Sequence, residues 1–133
     1  MNIISSRVSN KLRLDFLTKH FGFPLLSKVD HTVDSWMRAL CEHYQSGPWY
    51  VHELSNDGFY LVPACEDQFL ISIPTNGFLE RVSADAAGII ATLFALNYLC
   101  SKSPSYIFYD NYYLLLDFAY EHKEAENIFA AID

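Results

Sequence analysis

The segment from Ser83 to Leu96 reads Ser-Ala-Asp-Ala-Ala-Gly-Ile-Ile-Ala-Thr-Leu-Phe-Ala-Leu and is apolar on almost every side when it is drawn as a helix. Ser83 is a favoured N-cap residue, and Asp85 falls in the first turn, where the helix dipole favours a carboxylate. Asp85, Gly88 and Thr92 share one narrow stripe. A helix with so little polar surface is expected at the centre of the fold, covering one face of a sheet.

The sequence before this helix has the pattern of strands joined by tight turns. Ser55-Asn56-Asp57-Gly58 and Asn76-Gly77 are turn sequences that favour hairpins. The apolar runs beside them predict four strands: Trp49–Leu54, Phe59–Val62, Phe69–Ile73 and Phe78–Val82. Consecutive strands with short connections favour an antiparallel meander over parallel βαβ units.

Helices are predicted on both sides of these strands. Apolar residues at helical spacing indicate a short helix over residues 12–21, ended by Gly22 and Pro24, and a longer one over residues 30–44. Two further helices are expected after the apolar one, over residues 110–121 and 124–131. The sequence therefore predicts an α+β fold: a single compact domain over residues 1–133, in which a small antiparallel meander of about four strands packs with four to five helices. Residues 1–9 are expected to form a flexible N-terminus.

Composition excludes several classes of protein. With 51% hydrophobic and 16% aromatic residues, the chain is expected to bury a core and not to be disordered. The longest run free of polar side chains, Ala86–Ala91, is far shorter than the ~20 residues that span a bilayer, and no signal peptide precedes it. Three cysteines without CxxC spacing favour reduced thiols and a cytoplasmic location.

No local motif predicts catalysis, a metal or a cofactor. His52-Glu53-Leu54-Ser55-Asn56 begins like the zinc-protease motif HExxH, but Asn56 replaces the second histidine, and in a strand His52 and Glu53 face opposite sides. We therefore expect no enzyme, no metal site and no cofactor. The alternative is a small hydrolase whose site, assembled in three dimensions, involves His52, Glu53 or Cys41.

Carboxylates recur along the last part of the chain. Asp110, Asp117, Glu121 and Glu124 are seven, four and three residues apart, which places them on one helix face, and Asp133 extends the acidic end. Sixteen acidic residues diluted by nine basic ones are too sparse to imitate the charge density of DNA. The stripe is either a solvated helix face or a docking patch for a basic partner. As a binding hypothesis, we assign Asp117, Glu121, Glu124 and Asp133 to a partner surface.

The two turns are further candidates for binding, since loop tips on rigid hairpins often carry binding residues. Turn chemistry alone also accounts for them. We include Asn56, Asp57 and Asn76 among the candidate partner-binding residues. Basic residues near the N-terminus leave a DNA-binding accessory protein as another alternative, although the sequence pI of about 5.0 argues against strong direct DNA binding.

Taken in order, several segments resemble the ArdB/KlcA antirestriction family of plasmids and other mobile elements. None is specific alone, but the ordered set covers most of the chain. Its main pieces are Glu53-Leu-Ser-Asn-Asp-Gly-Phe-Tyr60, Asn76-Gly-Phe78, the helix from Ser83 to Leu96, Asp117-Phe-Ala119, and Ala131-Ile-Asp133.

This resemblance implies a function that the residues alone do not. It implies a compact α+β cytoplasmic protein that relieves type I restriction–modification of incoming foreign DNA by binding, without DNA mimicry and without catalysis. The expected partner is the type I restriction enzyme complex or an associated host factor, with no membrane involved. No catalytic residue is implied.

Overall fold

The computed structural model describes residues 2–9, 11–21, 23–103 and 105–133, and for residues 14, 18, 20, 21 and 23–27 it describes the backbone only. Within these ranges five helices and five strands follow one another along the chain. They are β1 (Ser5–Arg7), α1 (Arg13–Phe21), α2 (Phe23–Leu40), β2 (Trp49–Leu54), β3 (Phe59–Pro63), β4 (Gln68–Ile73), β5 (Phe78–Ser83), α3 (Ala84–Lys102), α4 (Tyr106–Glu121) and α5 (Ala125–Ile132). The predicted α+β fold is confirmed.

The strands differ from the predicted meander in their pairing. They form two antiparallel sheets, one with the order β1-β2-β3 and one of β4 and β5. The first strand, Ser5–Arg7, pairs with Leu54, Glu53 and His52, within the segment expected to be a flexible N-terminus. The expectation that consecutive strands all pair fails between β3 and β4, for a reason that lies in α3.

Helix α3 lies along the edge of β3 that a fourth strand would have occupied. The backbone N–H of Leu61 donates to Thr92 Oγ1 at 3.2 Å, so this N–H points to α3 and away from β2. A Cβ atom on Gly88 would lie 2.1 Å from the Leu61 carbonyl oxygen, which shows how closely the two backbones approach. Asp85, on the same stripe, accepts a hydrogen bond from Tyr60. The stripe of Asp85, Gly88 and Thr92 therefore covers the edge of β3 and protects it from further pairing.

The hydrophobic core surrounds α3. Its buried residues include Ile89, Ile90, Leu93 and Leu96, all at most 1% exposed. Among the described helices, α3 is the one whose length and composition would allow it to cross a membrane, with a mean hydropathy of 1.4. In this fold, however, 61% of that span is buried inside the protein, as expected for a core helix.

The second helix differs from the predicted range of residues 30–44 at both ends. Helix α2 begins at Phe23, not at Asp30, and ends at Leu40. Pro24, predicted to end the first helix, is the second residue of α2, where a missing backbone N–H leaves no helical hydrogen bond unmade. Gly22, the other predicted stop, lies outside the described residues.

Replacing Gly88 by alanine tests the contact between α3 and β3. The new Cβ would meet backbone atoms of Leu61 and Val62 at 2.1 and 2.9 Å, so one element must shift. We expect Gly88→Ala to lower the free energy of unfolding by about 3 kcal/mol, although alanine favours helix by about 1 kcal/mol. Urea denaturation measures this difference.

Gly47→Ala is the matched control, because its Cβ would meet only the Gln45 carbonyl oxygen, at 3.9 Å. We expect that variant to stay within about 0.5 kcal/mol of the wild type. Equal stability of the two variants would contradict a tight α3–β3 contact.

Candidate functional site

A cluster of polar side chains surrounds Asp85 at the start of α3. Tyr60 of β3 donates its hydroxyl proton to Asp85 Oδ1 at 2.8 Å, and His122, directly after α4, lies 2.8 Å from Asp85 Oδ2 through Nε2. The other ring nitrogen of His122 accepts from the backbone N–H of Glu124 at 2.9 Å. Because Nδ1 is the acceptor, Nε2 carries the proton and donates it to Asp85.

The cluster continues to the first strand. Ser5 Oγ lies 2.9 Å from the Tyr60 hydroxyl and 3.1 Å from His52 Nδ1. Since Tyr60 gives its one proton to Asp85, it accepts from Ser5, and Ser5 in turn accepts from His52. His52 therefore donates to Ser5, Ser5 donates to Tyr60, and Tyr60 donates to Asp85, which only accepts. This assignment leaves His52 Nε2 without a proton.

Burial and hydrogen bonding set the charges in the cluster. Burial alone would raise the pKa of Asp85, but hydrogen bonds from His122 and Tyr60 outweigh it, and the pKa lies below its ordinary value. Burial lowers the pKa of His52, and the charge of Asp85 only partly opposes this shift. Burial also raises the pKa of Tyr60. At neutral pH, Asp85 is ionised, while His52 and Tyr60 are neutral.

These residues line an open cleft of about 830 Å³, together with Ile3, Phe118, Glu121 and Lys123. Its chemistry does not resemble that of a hydrolase. Ser5 donates to Tyr60 and is not activated by a base, and Asp85 already receives two donors. Among the described residues, no three His, Cys, Asp or Glu side chains are grouped to hold a metal ion. The cluster joins β1, β2, β3 and α3 to the end of α4.

The residues of the alternative enzyme hypothesis do not come together. Glu53 is exposed, whereas its neighbour His52 is half-buried in the Asp85 cluster. Cys41 is 4% exposed and lines a different cleft. All three cysteines are free thiols.

Replacing Asp85 by asparagine tests the charge in the cluster. The sequence predicts a cost of about 0.3–1 kcal/mol for losing a first-turn carboxylate, as in Asp85→Ala. With two hydrogen bonds to the charged group, we expect Asp85→Asn to cost about 1–2 kcal/mol at pH 7. Urea denaturation over a pH series measures both the cost and its pH dependence.

The sign of the pH effect follows from the lowered pKa of Asp85 in the folded state. The carboxylate stabilises the fold fully above the unfolded pKa of about 3.9 and loses this contribution as the pH falls through the folded value. The difference between wild type and Asp85→Asn should therefore shrink between pH 5 and pH 3. A difference that grows over this range would contradict the assignment. Asp117→Asn is the control, expected within about 0.5 kcal/mol.

Glu124, predicted to bind a partner, caps α3 from a distance in the sequence. Its Oε1 accepts from the backbone N–H of Ser83 at 3.0 Å, and its Oε2 accepts from the Ser83 hydroxyl. Ser83 Oγ in turn accepts from the backbone N–H of Ala86 at 3.1 Å, as predicted for an N-cap. The carboxylate of Glu124 thus holds the start of α3, and its role in partner binding stays a prediction.

Replacing Glu124 by glutamine should destabilise the fold by about 1–2 kcal/mol. The amide group has only one acceptor oxygen and carries no negative charge, so it cannot replace both hydrogen bonds of the carboxylate. Glu126→Gln is the matched control, since Glu126 is exposed in the first turn of α5. We expect the control to lose less than about 0.5 kcal/mol in thermal or urea unfolding. An equal loss of stability in both variants would contradict the capping role of Glu124.

The candidate turn residues have structural contacts of their own. Asn56 Nδ2 donates to the Leu114 carbonyl oxygen at 2.9 Å, and its Oδ1 accepts from the backbone N–H of Gly58. Asn76 donates to the carbonyl oxygens of Ala131 and Asp133 at 3.0 and 3.1 Å, and therefore fastens the end of α5. Asp57 is exposed and adopts a positive φ of 76°.

The remaining acidic candidates lie at the surface. Asp117 is exposed on α4 and has no hydrogen-bond or ion-pair partner in the described part of the chain. Glu121 is exposed at the cleft and accepts from the backbone N–H of Ile3 at 3.0 Å. Asp133 is exposed beside Asn76. Their role in partner binding stays a prediction.

Sequence reasoning missed two groups of residues. One is the cluster of Ser5, Tyr60 and His122 around Asp85, whose members are far apart in the sequence. The other is a row of exposed tyrosines on α4, to which the sequence analysis gave no role. The sequence did contain a signal for this row, because its tyrosines are three, four and seven residues apart, as on one face of a helix. They are Tyr106, Tyr109, Tyr113 and Tyr120.

The family model described as "Antirestriction protein" matches residues 42–133, and the chain belongs to this family. Antirestriction protein KlcA of Escherichia coli is 42% identical over 98% of this chain and 94% of its own length. The resemblance seen in the sequence is thereby confirmed. A relative named YafX, from Escherichia coli strain K12, is 30% identical over 95% of this chain and 85% of its own length.

A solved structure has the same fold. It superposes with a TM-score of 0.92 at 40% sequence identity, covering 100% of this chain and 96% of that chain. The KlcA and ArdB proteins of that study are described as having a novel fold and antirestriction activity against type I DNA restriction systems in vivo but not in vitro.

Proposed function

We propose that this protein relieves restriction of incoming foreign DNA by type I systems, acting in the cytoplasm as a binding protein and not as an enzyme. The observation that carries the proposal is the match in fold and sequence to the KlcA and ArdB structure over the full chain. A protein that shares both fold and 40% of its residues with such proteins is expected to share their activity.

The polar cluster supports binding without catalysis. The carboxylate of Asp85 is hydrogen-bonded to Tyr60 and His122, and Ser5 has no base that would activate it. Two of the carboxylates, Asp85 and Glu124, are also used inside the fold. Fewer free acids remain at the surface than the count of sixteen suggests, which argues further against imitation of DNA and supports weak direct contact with DNA at most.

The relatives' behaviour bears on the partner. The KlcA and ArdB proteins are active in vivo but not in vitro, as expected of proteins whose binding partner is missing from the in vitro reaction. We therefore place the binding partner among host factors that work with the type I restriction enzyme, with the enzyme complex itself as the alternative.

Plating of unmodified phage tests the proposal. Cells with a type I restriction system should plate this phage more efficiently when they express the protein than when they carry an empty vector. Host DNA methylation should stay intact, and a type II system should restrict normally. Failure of a soluble, folded protein to restore plating would overturn the proposed function.

Variants of the surface carboxylates test the proposed partner surface. We expect charge reversal of Asp117, Glu121 and Asp133 together to abolish the relief of restriction while circular dichroism stays unchanged. Glu124 is kept, because it caps α3. Glu126→Lys, also exposed and acidic, is the control and should remain active. Full activity of the triple variant would remove these residues from the partner surface.

A further inference from the structure

The solvent face of α4 alternates tyrosines and carboxylates. Tyr106, Asp110, Tyr113, Asp117 and Tyr120 follow one another at spacings of four, three, four and three residues, so that each is a neighbour of the next on the helix surface. The tyrosines are 84%, 48% and 66% exposed, and both aspartates are exposed too. We call this row of five residues the α4 ladder. It is about 21 Å long, at 1.5 Å per residue.

The ladder is not neutralised within the fold. Asp110 and Asp117 have no hydrogen-bond or ion-pair partner in the residues that the structure describes. Helix α4 contains no lysine or arginine, and Glu121 adds a further carboxylate beside the ladder. The face is therefore both aromatic and negatively charged.

Exposed aromatic rings in a row are costly in water and typical of binding surfaces. Tyrosine is enriched at the energetically important centres of protein interfaces, because its ring buries a large area and loses little conformational freedom. Tyr109 also packs on Tyr113, with ring centroids 4.9 Å apart, which broadens the aromatic surface and holds Tyr113 in place.

We propose that the α4 ladder docks a helix of a partner protein that presents arginines one heptad apart. An arginine guanidinium can stack on a tyrosine ring and, at the same time, pair with a carboxylate. Asp110 and Asp117 are separated by about 10.5 Å along α4, which equals seven residues on a second helix. This inference rests on the proposed function, since it names the surface and the kind of partner through which restriction is relieved.

Charge argues against two other occupants of the ladder. A second copy of this chain would set carboxylates against carboxylates on a protein of net charge −7. A DNA backbone would meet the same carboxylates with its phosphates. A basic protein helix is complementary to both parts of the ladder.

A peptide titration tests the docking chemistry without any restriction system. The probe is an alanine-rich helical peptide with two arginines seven residues apart, and its controls carry lysines at those positions or arginines on opposite faces. We expect the arginine peptide to bind about threefold more tightly than the lysine peptide, and to shift the NMR signals of the tyrosine rings of α4. Equal binding of all three peptides would overturn the inference.

Variants of the ladder separate its two components. Tyr113→Ala, in an exposed helical position where alanine is favourable, should abolish the preference for arginine, whereas Tyr113→Phe should keep it. Asp110→Asn with Asp117→Asn should weaken both the arginine and the lysine peptide. A dimer of the wild type that Tyr113→Ala abolishes in sedimentation, or duplex DNA that shifts the same tyrosine signals, would overturn the proposed partner.

Plating with the same variants distinguishes this inference from the proposed function. We expect the combined Tyr106→Ala and Tyr113→Ala variant to lose the relief of type I restriction, while Leu79→Ser, an exposed apolar residue of β5, retains it. An active wild type with an equally active double variant would overturn the ladder and leave the proposed function standing. An inactive wild type would overturn the proposed function, and the peptide titration would then decide the docking chemistry alone.

Discussion

The fold depends on the close approach of α3 to the edge of β3. Only glycine allows the helix backbone to reach the Leu61 carbonyl, and only a small polar side chain at Thr92 can accept the Leu61 N–H in the same space. Because these contacts satisfy the edge of β3, the sheet ends there. The second sheet, β4 and β5, is then free to pack elsewhere against the apolar surface of α3.

The close packing of α3 on β3 also places Asp85, in the first turn of α3, where its carboxylate contacts two other elements. One helical turn before Gly88, its oxygens meet Tyr60 of the covered strand and His122 of the segment after α4. Glu124, two residues later, reaches the N-cap Ser83. Two carboxylates and a histidine therefore fix the start of the core helix. These two carboxylates act inside the fold, whereas Asp110 and Asp117 on the outer face of α4 are exposed to solvent.

Elements with a local signal could be predicted from the sequence. The N-cap Ser83, the two turns and the positions of β2 to β5 follow from residues that are neighbours in the chain, and the structure confirms them. The pairing of β3 with β4 was predicted incorrectly, because nothing near Leu61 in the sequence shows that Thr92 will accept its backbone N–H. The Asp85 cluster could not be found either, since Ser5, Tyr60 and His122 each have an ordinary local role and gain their partners only through the fold. The tyrosines of α4 recur at helical spacing, but aromatic residues at such spacing usually belong to a core. Only the exposure of their side chains shows that these tyrosines lie at the surface.

The hydrogen bond between Ile3 and Glu121 can form only after most of the chain has been synthesised. These residues are 118 positions apart, and the bond between them lies beside the cluster that joins Ser5 to Asp85 and His122. At roughly 5–20 residues per second, a ribosome needs about 6–24 s to add the intervening chain. During that time Ile3 lacks the carboxylate of Glu121, and Asp85 lacks His122. The polar contacts at the start of α3 are therefore completed only late in synthesis. A copy of the protein interrupted before α4 is complete would have a core helix that lacks the contacts of His122 with Asp85 and of Glu124 with Ser83.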